Sequence, residues 1–212
     1  MRRLLIATSN PGKQREFQRL LAHLPAALTT PDELGLALDV PEPYDTYAEN
    51  ARTKADAYCR ASGLLTVADD SGIEVAALDW GPGVRTNRYR GADAGDPLDH
   101  LLAQVGDAGD RRARMVCVLA LGIPIAGGGA QVELFHGVVH GSLARERRGA
   151  GGFGFDPVFQ LPNGSTTAEL PEFEKDRVSH RGQAVTAATP RLLELLSNDG
   201  SSVPAPAGSK VP

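Results

Sequence analysis

The sequence predicts an α/β protein built on a mixed, strongly twisted central sheet flanked by helices. Strand-like apolar runs alternate with helical patterns in the first third of the chain, which is typical of parallel βαβ units. Strand patterns then cluster over residues 113–139, where Gly127, Gly128 and Gly129 lie between two of them and indicate an antiparallel hairpin. The 212 residues, 42% of them hydrophobic, suffice for one domain with a buried core, which we expect to span residues 1–196.

The predicted strands are short apolar runs bounded by turn residues. Ser71 and Gly72, which follow the third run, are interpreted as the turn that ends that strand. The predicted strands cover residues 4–7, 26–29, 64–68, 73–78, 113–123, 131–139 and 158–161.

The predicted helices repeat apolar residues every three or four positions. Pro11 suits the first turn of the first helix, Gly63 closes the second, and Ser179 caps the last. Small and polar residues dominate from Ser197 onward, so we expect a disordered tail over 197–212. The predicted helices cover residues 47–62, 97–105, 171–176 and 180–196, with short helix and loop over 32–39. The first helix follows the loop over 8–13 and carries Phe17, Leu20 and Leu21 at helical spacing.

Charge and composition exclude several classes of partner. The net charge of -4 argues against a general binder of nucleic acid or of anionic membranes. No apolar run is long enough to span a membrane, and the run after Met1-Arg2-Arg3 is too short for a signal peptide. Cys59 and Cys117 have neither metal-ligand spacing nor a disulfide pattern, which is typical of a reducing compartment. We therefore expect a cytoplasmic protein without a nucleic-acid or membrane partner.

Two adjacent acids, Asp69 and Asp70, follow the third apolar run. Carboxylates at the end of a buried strand are held by rigid backbone and can face a cleft. Because neighbouring strand residues point to opposite faces, we expect one acid to reach the cleft and the other to support it. The alternative is an acidic turn cap, since Asp and Ser favour turns.

The loop over residues 8–13 lies between the first strand and the first helix. A helix N-terminus offers free N–H groups and the positive end of the helix dipole, and Lys13 adds a charge, so the loop is a candidate phosphate site. It is not a P-loop, because the first glycine is missing and Gln14 follows the lysine. The alternative is an ordinary strand-to-helix turn.

The segment Gly149–Gly154 fits the pattern G-x-G-x-x-G, but it follows a charged run and leads into Asp156-Pro157. That context does not match a dinucleotide fingerprint, which needs a strand before and a helix after. Glycines with Phe153 and Phe155 better suit a platform for a base, where an aromatic face stacks on a purine. The alternative is a tight loop with two core phenylalanines.

Two further clusters complete the candidate site. Lys175 with Ser179-His180-Arg181 places cations at a helix start, where they oppose the helix dipole, and an anionic or carbonyl-rich ligand would relieve this; a solvated helix start is the alternative. Acids near predicted loop ends form an oxygen-rich set that suits Mg²⁺, whereas the spacing of His and Cys gives no case for zinc. These acids are Glu42, Glu49, Asp69 and Asp70.

Five segments in this order resemble the inosine/xanthosine triphosphate pyrophosphatase family, the Ham1-like enzymes. Each motif is weak alone, and their common order over residues 1–196 makes the resemblance specific. The matching segments are Thr8-Ser9-Asn10-Pro11-Gly12-Lys13, Glu49-Asn50-Ala51 with Lys54, Ala68-Asp69-Asp70-Ser71-Gly72, Gly151–Pro157, and Ala168-Glu169-Leu170 running to Lys175 and Ser179-His180-Arg181.

The resemblance implies Mg²⁺-dependent hydrolysis of dITP/ITP and XTP to the nucleoside monophosphate and pyrophosphate, which removes deaminated purines from nucleotide pools. It also implies an elongated homodimer whose subunits have two lobes with the active-site cleft between them. Two alternatives stay open: a Maf-like pyrophosphatase acting on another base, and a non-catalytic nucleotide-binding module.

Residue roles also follow from the resemblance. It implies that Asp70 is the catalytic acid, linked to the metal and accepting a proton from the attacking water, with Asp69 and Glu42 as further metal or water supports. The residues it assigns to the phosphates are Thr8, Ser9, Asn10, Pro11, Gly12, Lys13 and Lys54, and those it assigns to the rest of the nucleotide are Ser71, Phe153, Gly154, Phe155, Asp156, Lys175, His180 and Arg181.

Overall fold

In the computed structural model, which describes residues 1–89 and 95–197, a seven-stranded mixed sheet is flanked by five α-helices. The strands are β1 (Arg2–Ile6), β2 (Ala26–Thr29), β3 (Leu65–Val75), β4 (Gly81–Pro82), β5 (Arg112–Ile125), β6 (Gly129–Leu143) and β7 (Phe159–Gln160). The helices are α1 (Pro11–Leu21), α2 (Tyr47–Ser62), α3 (Pro97–Val105), α4 (Glu172–Val178) and α5 (His180–Ser197).

The sheet has the order β2-β1-β3-β5-β6-β7, and β4 pairs with β3 outside this path. Strand β1 pairs in parallel with β2 and β3, whereas β3, β5 and β6 pair antiparallel. Strands β5 and β6 are joined by the predicted hairpin, with Gly127 and Gly128 at its tip in the left-handed region that glycine adopts at little cost. The predicted α/β class with a mixed sheet is confirmed.

The interpretation of Ser71 and Gly72 as a turn is wrong. Strand β3 continues through both residues to Val75, and they pair with Cys117 and Val116 of β5. A Cβ on Gly72 would overlap the carbonyl oxygen of Gly83 and lie 2.7 Å from the Tyr47 hydroxyl. The glycine therefore marks a close backbone approach rather than a turn. The predicted strand over 73–78 is correspondingly the end of β3 followed by a 3-10 turn over Ala76–Leu78.

Local capping explains where the helices begin and end. The Asn10 side chain caps α1 by accepting from the amides of Gly12 at 2.9 Å and Lys13 at 3.2 Å. Gly63, at a φ of 67°, ends α2. The Ser179 hydroxyl accepts from the Gly182 amide at 2.9 Å, as predicted for the last helix. The predicted helices over 47–62 and 97–105 are confirmed with the same bounds. The predicted first helix is α1, which begins at Pro11 and so includes the last three residues of the predicted loop over 8–13.

Some boundaries in the last third of the chain differ from the prediction. The strand predicted over 158–161 is shortened to β7, and the helix predicted over 171–176 is α4, one residue later at its start. Ser197, the first residue of the predicted tail, is the last residue of α5, and residues 198–212 lie outside the described residues. Within the described ranges, no helix has the length and apolar character needed to cross a membrane.

The core divides into three clusters. The first two lie in one lobe, on opposite faces of the sheet, and the third lies in the other lobe. One cluster packs α1 and α5 on the sheet, and a second packs α2 on the opposite face. The third lies around α3 and the far halves of β3, β5 and β6. Val67 belongs to the first cluster and Ile73 to the third, so residues 69–71 of β3 pass between the lobes.

Gly137 of β6 sets the distance between the sheet and the start of α5. A Cβ there would overlap the His180 carbonyl oxygen and lie 2.7 Å from the Ala184 amide nitrogen. Because backbone atoms cannot rotate away, we expect Gly137→Ala to lower the free energy of unfolding by about 1–3 kcal/mol in urea denaturation. Gly109→Ala, whose Cβ would meet nothing within 4 Å, is the matched control. Equal stability of the two variants would contradict this account.

Candidate functional site

Asp69 and Asp70 contact different partners, as the alternation of a strand predicts. The Asp69 carboxylate lies 3.0 Å from the Lys13 ammonium and 3.1 Å from the Arg181 guanidinium. The Asp70 carboxylate accepts from the Asn50 side chain at 3.0 Å and from the Ser71 amide at 3.0 Å. Each aspartate is 1% exposed. The two acids therefore lie in separate environments, on the two faces of one strand.

A buried ion network surrounds Asp69. Arg181 pairs with Asp69 and Glu16 and donates to the Ser71 hydroxyl at 2.9 Å. Lys175 lies 3.2 Å from Glu16 and 2.7 Å from Asp156. Buried charges are tolerated when each has an opposite charge and hydrogen bonds. The network therefore ties β3, α1, α4 and α5 together at one point.

The network also sets the charge states of its members. Burial acts to raise the pKa of Asp69, but the Lys13 and Arg181 cations hold it far below its usual range. Burial acts against the charge of Arg181, and the Asp69 and Glu16 carboxylates raise its pKa above the usual value. The pKa of Glu16 is likewise lowered by Arg181 and Lys175, against its burial. All of these groups are charged near neutral pH.

Glu16 was absent from the candidates chosen from the sequence. It is 1% exposed and bridges Lys175 and Arg181. A sequence signal did exist, because Lys13 and Glu16 share a helical stripe with Phe17 and Leu21, which are buried. Two opposite charges on an apolar stripe indicate a buried ion pair or a functional site.

The glycine loop places Phe153 against the start of α1. The Phe153 amide donates to the Asp156 carboxylate at 2.7 Å, and the Thr167 hydroxyl donates to the same carboxylate at 2.8 Å. A Cβ on Gly12 would lie 2.6 Å from the Phe153 ring, and the Lys175 ammonium is 5.0 Å from the centre of that ring. The loop thus presents an aromatic face beside the cation cluster. Phe155 both lines the adjoining pocket and packs in the third core cluster.

Two adjoining pockets open around these groups. The Arg181 pocket, of about 520 Å³, lies beside the Phe153 ring, and the Lys54 pocket, of about 640 Å³, lies toward the loop that carries Glu42. The Arg181 pocket is lined by Asn10, Lys13, Ser71, Gly72, Ile73, Thr86, Met115, Phe153, Gly154, Phe155, Asp156, Lys175, His180 and Arg181. The Lys54 pocket is lined by Ala7, Thr8, Ser9, Asn10, Lys13, Leu38, Asp39, Val40, Glu42, Lys54 and Tyr58.

The pockets bring together most of the residues chosen from the sequence, and Asn10 and Lys13 line both. Four chosen residues line neither pocket. Pro11 is exposed, Gly12 lies beneath the Phe153 ring, and Asp69 and Asp70 are buried in strand β3. Thr86 and Met115 line the Arg181 pocket and were not chosen from the sequence.

The predicted metal ligands are Glu42, Asp69 and Asp70. Within residues 1–89 and 95–197, no group of three or more His, Cys, Asp and Glu side chains is arranged to hold a metal ion. Burial raises the pKa of Asp70, the Lys54 ammonium opposes this rise, and the Glu42 carboxylate adds to it. Mg²⁺ is commonly held by one or two carboxylates together with substrate phosphates, and Glu42 and Asp70 carry the oxygen ligands that it prefers. The metal roles of Glu42, Asp69 and Asp70 stay predictions.

Lys54 lines the Lys54 pocket together with Lys13. Its ammonium lies 2.5 Å from the Glu42 carboxylate and donates to the carbonyl oxygen of Asp69. Burial acts to lower the pKa of Lys54, but the carboxylates of Asp69, Glu42 and Asp70 raise it above its usual value. Lys54 therefore keeps its charge and can bind an anion.

This geometry defines a class of protein. An aromatic ring beside a donor-rich pocket suits a base, and a helix N-terminus with Lys13 and Lys54 suits a polyphosphate. The fold and site are those of an α/β protein whose two pockets together suit a nucleotide. The model of the Ham1 family matches residues 4–191, and the chain belongs to this family.

Relatives and solved structures agree with that assignment. The chain is 41% identical over 197 residues to a dITP/XTP pyrophosphatase of Nostoc sp., covering 92% of this chain and 96% of that protein. It is 42% identical over 204 residues to one of Streptomyces coelicolor, covering 92% of this chain and 100% of that protein. A HAM1 protein from Coxiella burnetii superposes with a TM-score of 0.79 at 38% identity, over 92% of this chain and 100% of that chain.

His180 opens α5 and is 5% exposed. Burial, with the Arg181 cation beside it, lowers the pKa of His180 from its usual 6.5 to about 3. The imidazole is therefore neutral at physiological pH, and one ring nitrogen can donate while the other accepts.

We expect an NMR titration of the His180 ring to show a neutral imidazole in the folded protein as the pH falls from 6.5 toward 3. In the unfolded chain this histidine gains a proton below 6.5, so its contribution to stability is present above pH 6.5 and is lost as the pH falls toward 3. The free energy of unfolding of His180→Asn should therefore depend less steeply on pH over this window. Equal slopes for the two proteins would contradict the prediction.

Proposed function

We propose that this chain hydrolyses deaminated purine nucleoside triphosphates, dITP/ITP and XTP, to the nucleoside monophosphate and pyrophosphate. The observation that carries the proposal is the pair of adjoining pockets that share Asn10 and Lys13. One pocket has the aromatic and polar lining of a base site, and the other has the lysine and carboxylate lining of a phosphate site. Family membership and the curated relatives support the same reaction.

In this proposal the triphosphate lies in the Lys54 pocket, and Lys13 sits at the junction with the base. The positive end of the α1 dipole and the two ammonium groups offset phosphate charge, because the Asn10 side chain already caps the amides of Gly12 and Lys13. A phosphate would compete with Glu42 for Lys54, because both are anions and Lys54 now pairs with Glu42. Asp70 and Glu42, with Asp69 as a support, would hold Mg²⁺, which neutralises phosphate oxygens when bound.

Asp70 is proposed as the proton acceptor for the attacking water. Water adds to the α-phosphorus, the bond from that phosphorus to the bridging oxygen breaks, and pyrophosphate leaves. Burial raises the pKa of Asp70 above its usual value, with Lys54 opposing that rise. In its ionised form the Asp70 carboxylate can accept the proton that the attacking water loses.

Recognition of the base is proposed for the Arg181 pocket. Arg181 lines this pocket, and its buried Nε–H has no hydrogen-bond partner within residues 1–89 and 95–197, so we propose this group as a donor to the base. A keto oxygen at position 6 of hypoxanthine or xanthine can accept such a bond, whereas the amino group of adenine cannot. A buried polar mismatch of this kind discriminates by ~10⁴ or more. The stacking partner of the base is Phe153.

The expected assembly is a homodimer in the cytoplasm with Mg²⁺ as cofactor. The homodimer is expected from the resemblance to the Ham1-like enzymes. The free, buried thiols of Cys59 and Cys117 are consistent with a reducing compartment. The net charge of -4 fits the absence of a nucleic-acid partner. A Maf-like activity and a non-catalytic nucleotide-binding module are the alternatives, and none of the relatives named above supports them.

A substrate panel tests the reaction. We expect Mg²⁺-dependent release of pyrophosphate from ITP, dITP and XTP, with kcat/KM at least ~10⁴-fold lower for ATP because of the mismatch at position 6. Chromatography of the products should show IMP and pyrophosphate from ITP. Preference for dTTP or UTP would indicate a Maf-like enzyme. Binding of ITP without pyrophosphate release would indicate a binding module, and release of orthophosphate with IDP would indicate an ordinary phosphatase.

Asp70→Asn tests the catalytic assignment. The amide cannot accept the proton of the attacking water, so we expect kcat to fall by about 10³-fold or more at saturating Mg²⁺. The fold should persist, as circular dichroism would show, because Asn keeps the size of the side chain. Asp107→Asn, at a fully exposed position, is the control and should keep the wild-type rate. Near-normal activity of Asp70→Asn would remove Asp70 from the mechanism.

A further inference from the structure

Asn50 lies in the first turn of α2 and is 2% exposed. Its amide makes three hydrogen bonds. The carbonyl oxygen accepts from the Tyr44 amide at 3.2 Å, and the amino group donates to the Tyr44 carbonyl at 3.1 Å and to the Asp70 carboxylate at 3.0 Å. One side chain thus joins a loop backbone to the acid proposed as the proton acceptor.

The loop that Asn50 holds needs such an anchor. Residues 36–44 form neither helix nor strand, and Glu42 lies within them between two prolines. Glu42 itself is contacted by Lys54, which pairs with its carboxylate, and by Arg88, an exposed side chain that donates to its carbonyl oxygen at 2.9 Å. Asn50 holds the loop two residues later, at Tyr44, and the Tyr58 hydroxyl holds it earlier by donating to the Leu38 carbonyl at 3.3 Å. The Lys54 contact is available to phosphate instead, so Asn50 provides a buried link that does not depend on the ligand.

The same amide fixes the orientation of Asp70. One carboxylate oxygen accepts from the Ser71 amide, and the other accepts from Asn50. Hydrogen bonds to a buried carboxylate are charge-assisted and hold it in one rotamer. With both oxygens engaged from the protein side, the carboxylate presents its remaining lone pairs in a defined direction.

We propose that Asn50 is a positioning residue, which sets the Glu42 loop and the Asp70 carboxylate in a fixed relation to each other. It does not touch the reacting atoms. Its effect is on the geometry in which Asp70 meets the attacking water and in which the two carboxylates face the same phosphate group. Small misplacements of such groups cost large factors in rate. This inference rests on the proposed pyrophosphatase function.

Two variants of Asn50 test this role. Asn50→Asp keeps the size and the acceptor for the Tyr44 amide, but it loses the donors to the Tyr44 carbonyl and to Asp70 and places a second carboxyl group beside Asp70. Asn50→Ala loses all three hydrogen bonds. We expect both to lower kcat for ITP by about 10–100-fold, as is usual for residues that orient metal-site groups. The KM for ITP should stay within about threefold, because neither pocket loses a lining residue.

Thr46→Ala is the matched control. Thr46 caps the same helix, accepting from the Glu49 amide at 3.2 Å, and has no contact with Asp70. Loss of this cap loosens the same N-terminal end of α2, and kcat should stay within about threefold of wild type. Hydrogen exchange of the Tyr44 amide gives a readout apart from activity. It should be faster in Asn50→Ala, which lacks the acceptor, and close to wild type in Asn50→Asp.

The outcomes are distinguishable. Loss of kcat at constant KM in both Asn50 variants, without loss in Thr46→Ala, supports the positioning role. Wild-type kcat in the Asn50 variants would overturn it, and so would an equal loss in Thr46→Ala, because general loosening would then explain the effect. Absence of pyrophosphate release by the wild-type protein from every triphosphate tested would instead overturn the proposed function.

Discussion

The contact on which the rest of the site depends is the buried pairing of Asp69 with Arg181. Removing one partner of such a pair leaves a buried charge, which typically costs about 3–5 kcal/mol. The pairing therefore holds α5 against β3, and Glu16 extends it to α1 and through Lys175 to α4. Four elements from three distant parts of the chain meet there, at the point where the sheet passes between the lobes.

The two faces of β3 carry different parts of the candidate site. On one face Asp69 neutralises the cations that line the Arg181 pocket, so those cations can present donors without repelling one another. On the other face Asp70 belongs to the environment of Asn50, Lys54 and Glu42. A strand is suited to this division because adjacent side chains point in opposite directions at a spacing set by the backbone.

Sequence patterns predicted the helices well, because caps and apolar periodicity are local properties. Pro11, Gly63 and Ser179 act in their own helices as the patterns indicate. The turn at Ser71-Gly72 was wrong, because a pair of small residues has the same local signature whether it bends the chain or admits a neighbouring backbone. Only the ladder with β5 and the approach of Gly83 distinguish the two.

The sequence by itself determined the fold class, the candidate phosphate and base segments, and the pair of acids, since each depends on residues close together in the chain. The tertiary structure decided which acid pairs with which cation, the inclusion of Glu16, and the link from Asn50 to Asp70. Those contacts join residues separated by 112, 165 and 20 positions. No local pattern encodes them, because they exist only when the sheet brings α1, α2 and α5 to the same stretch of β3.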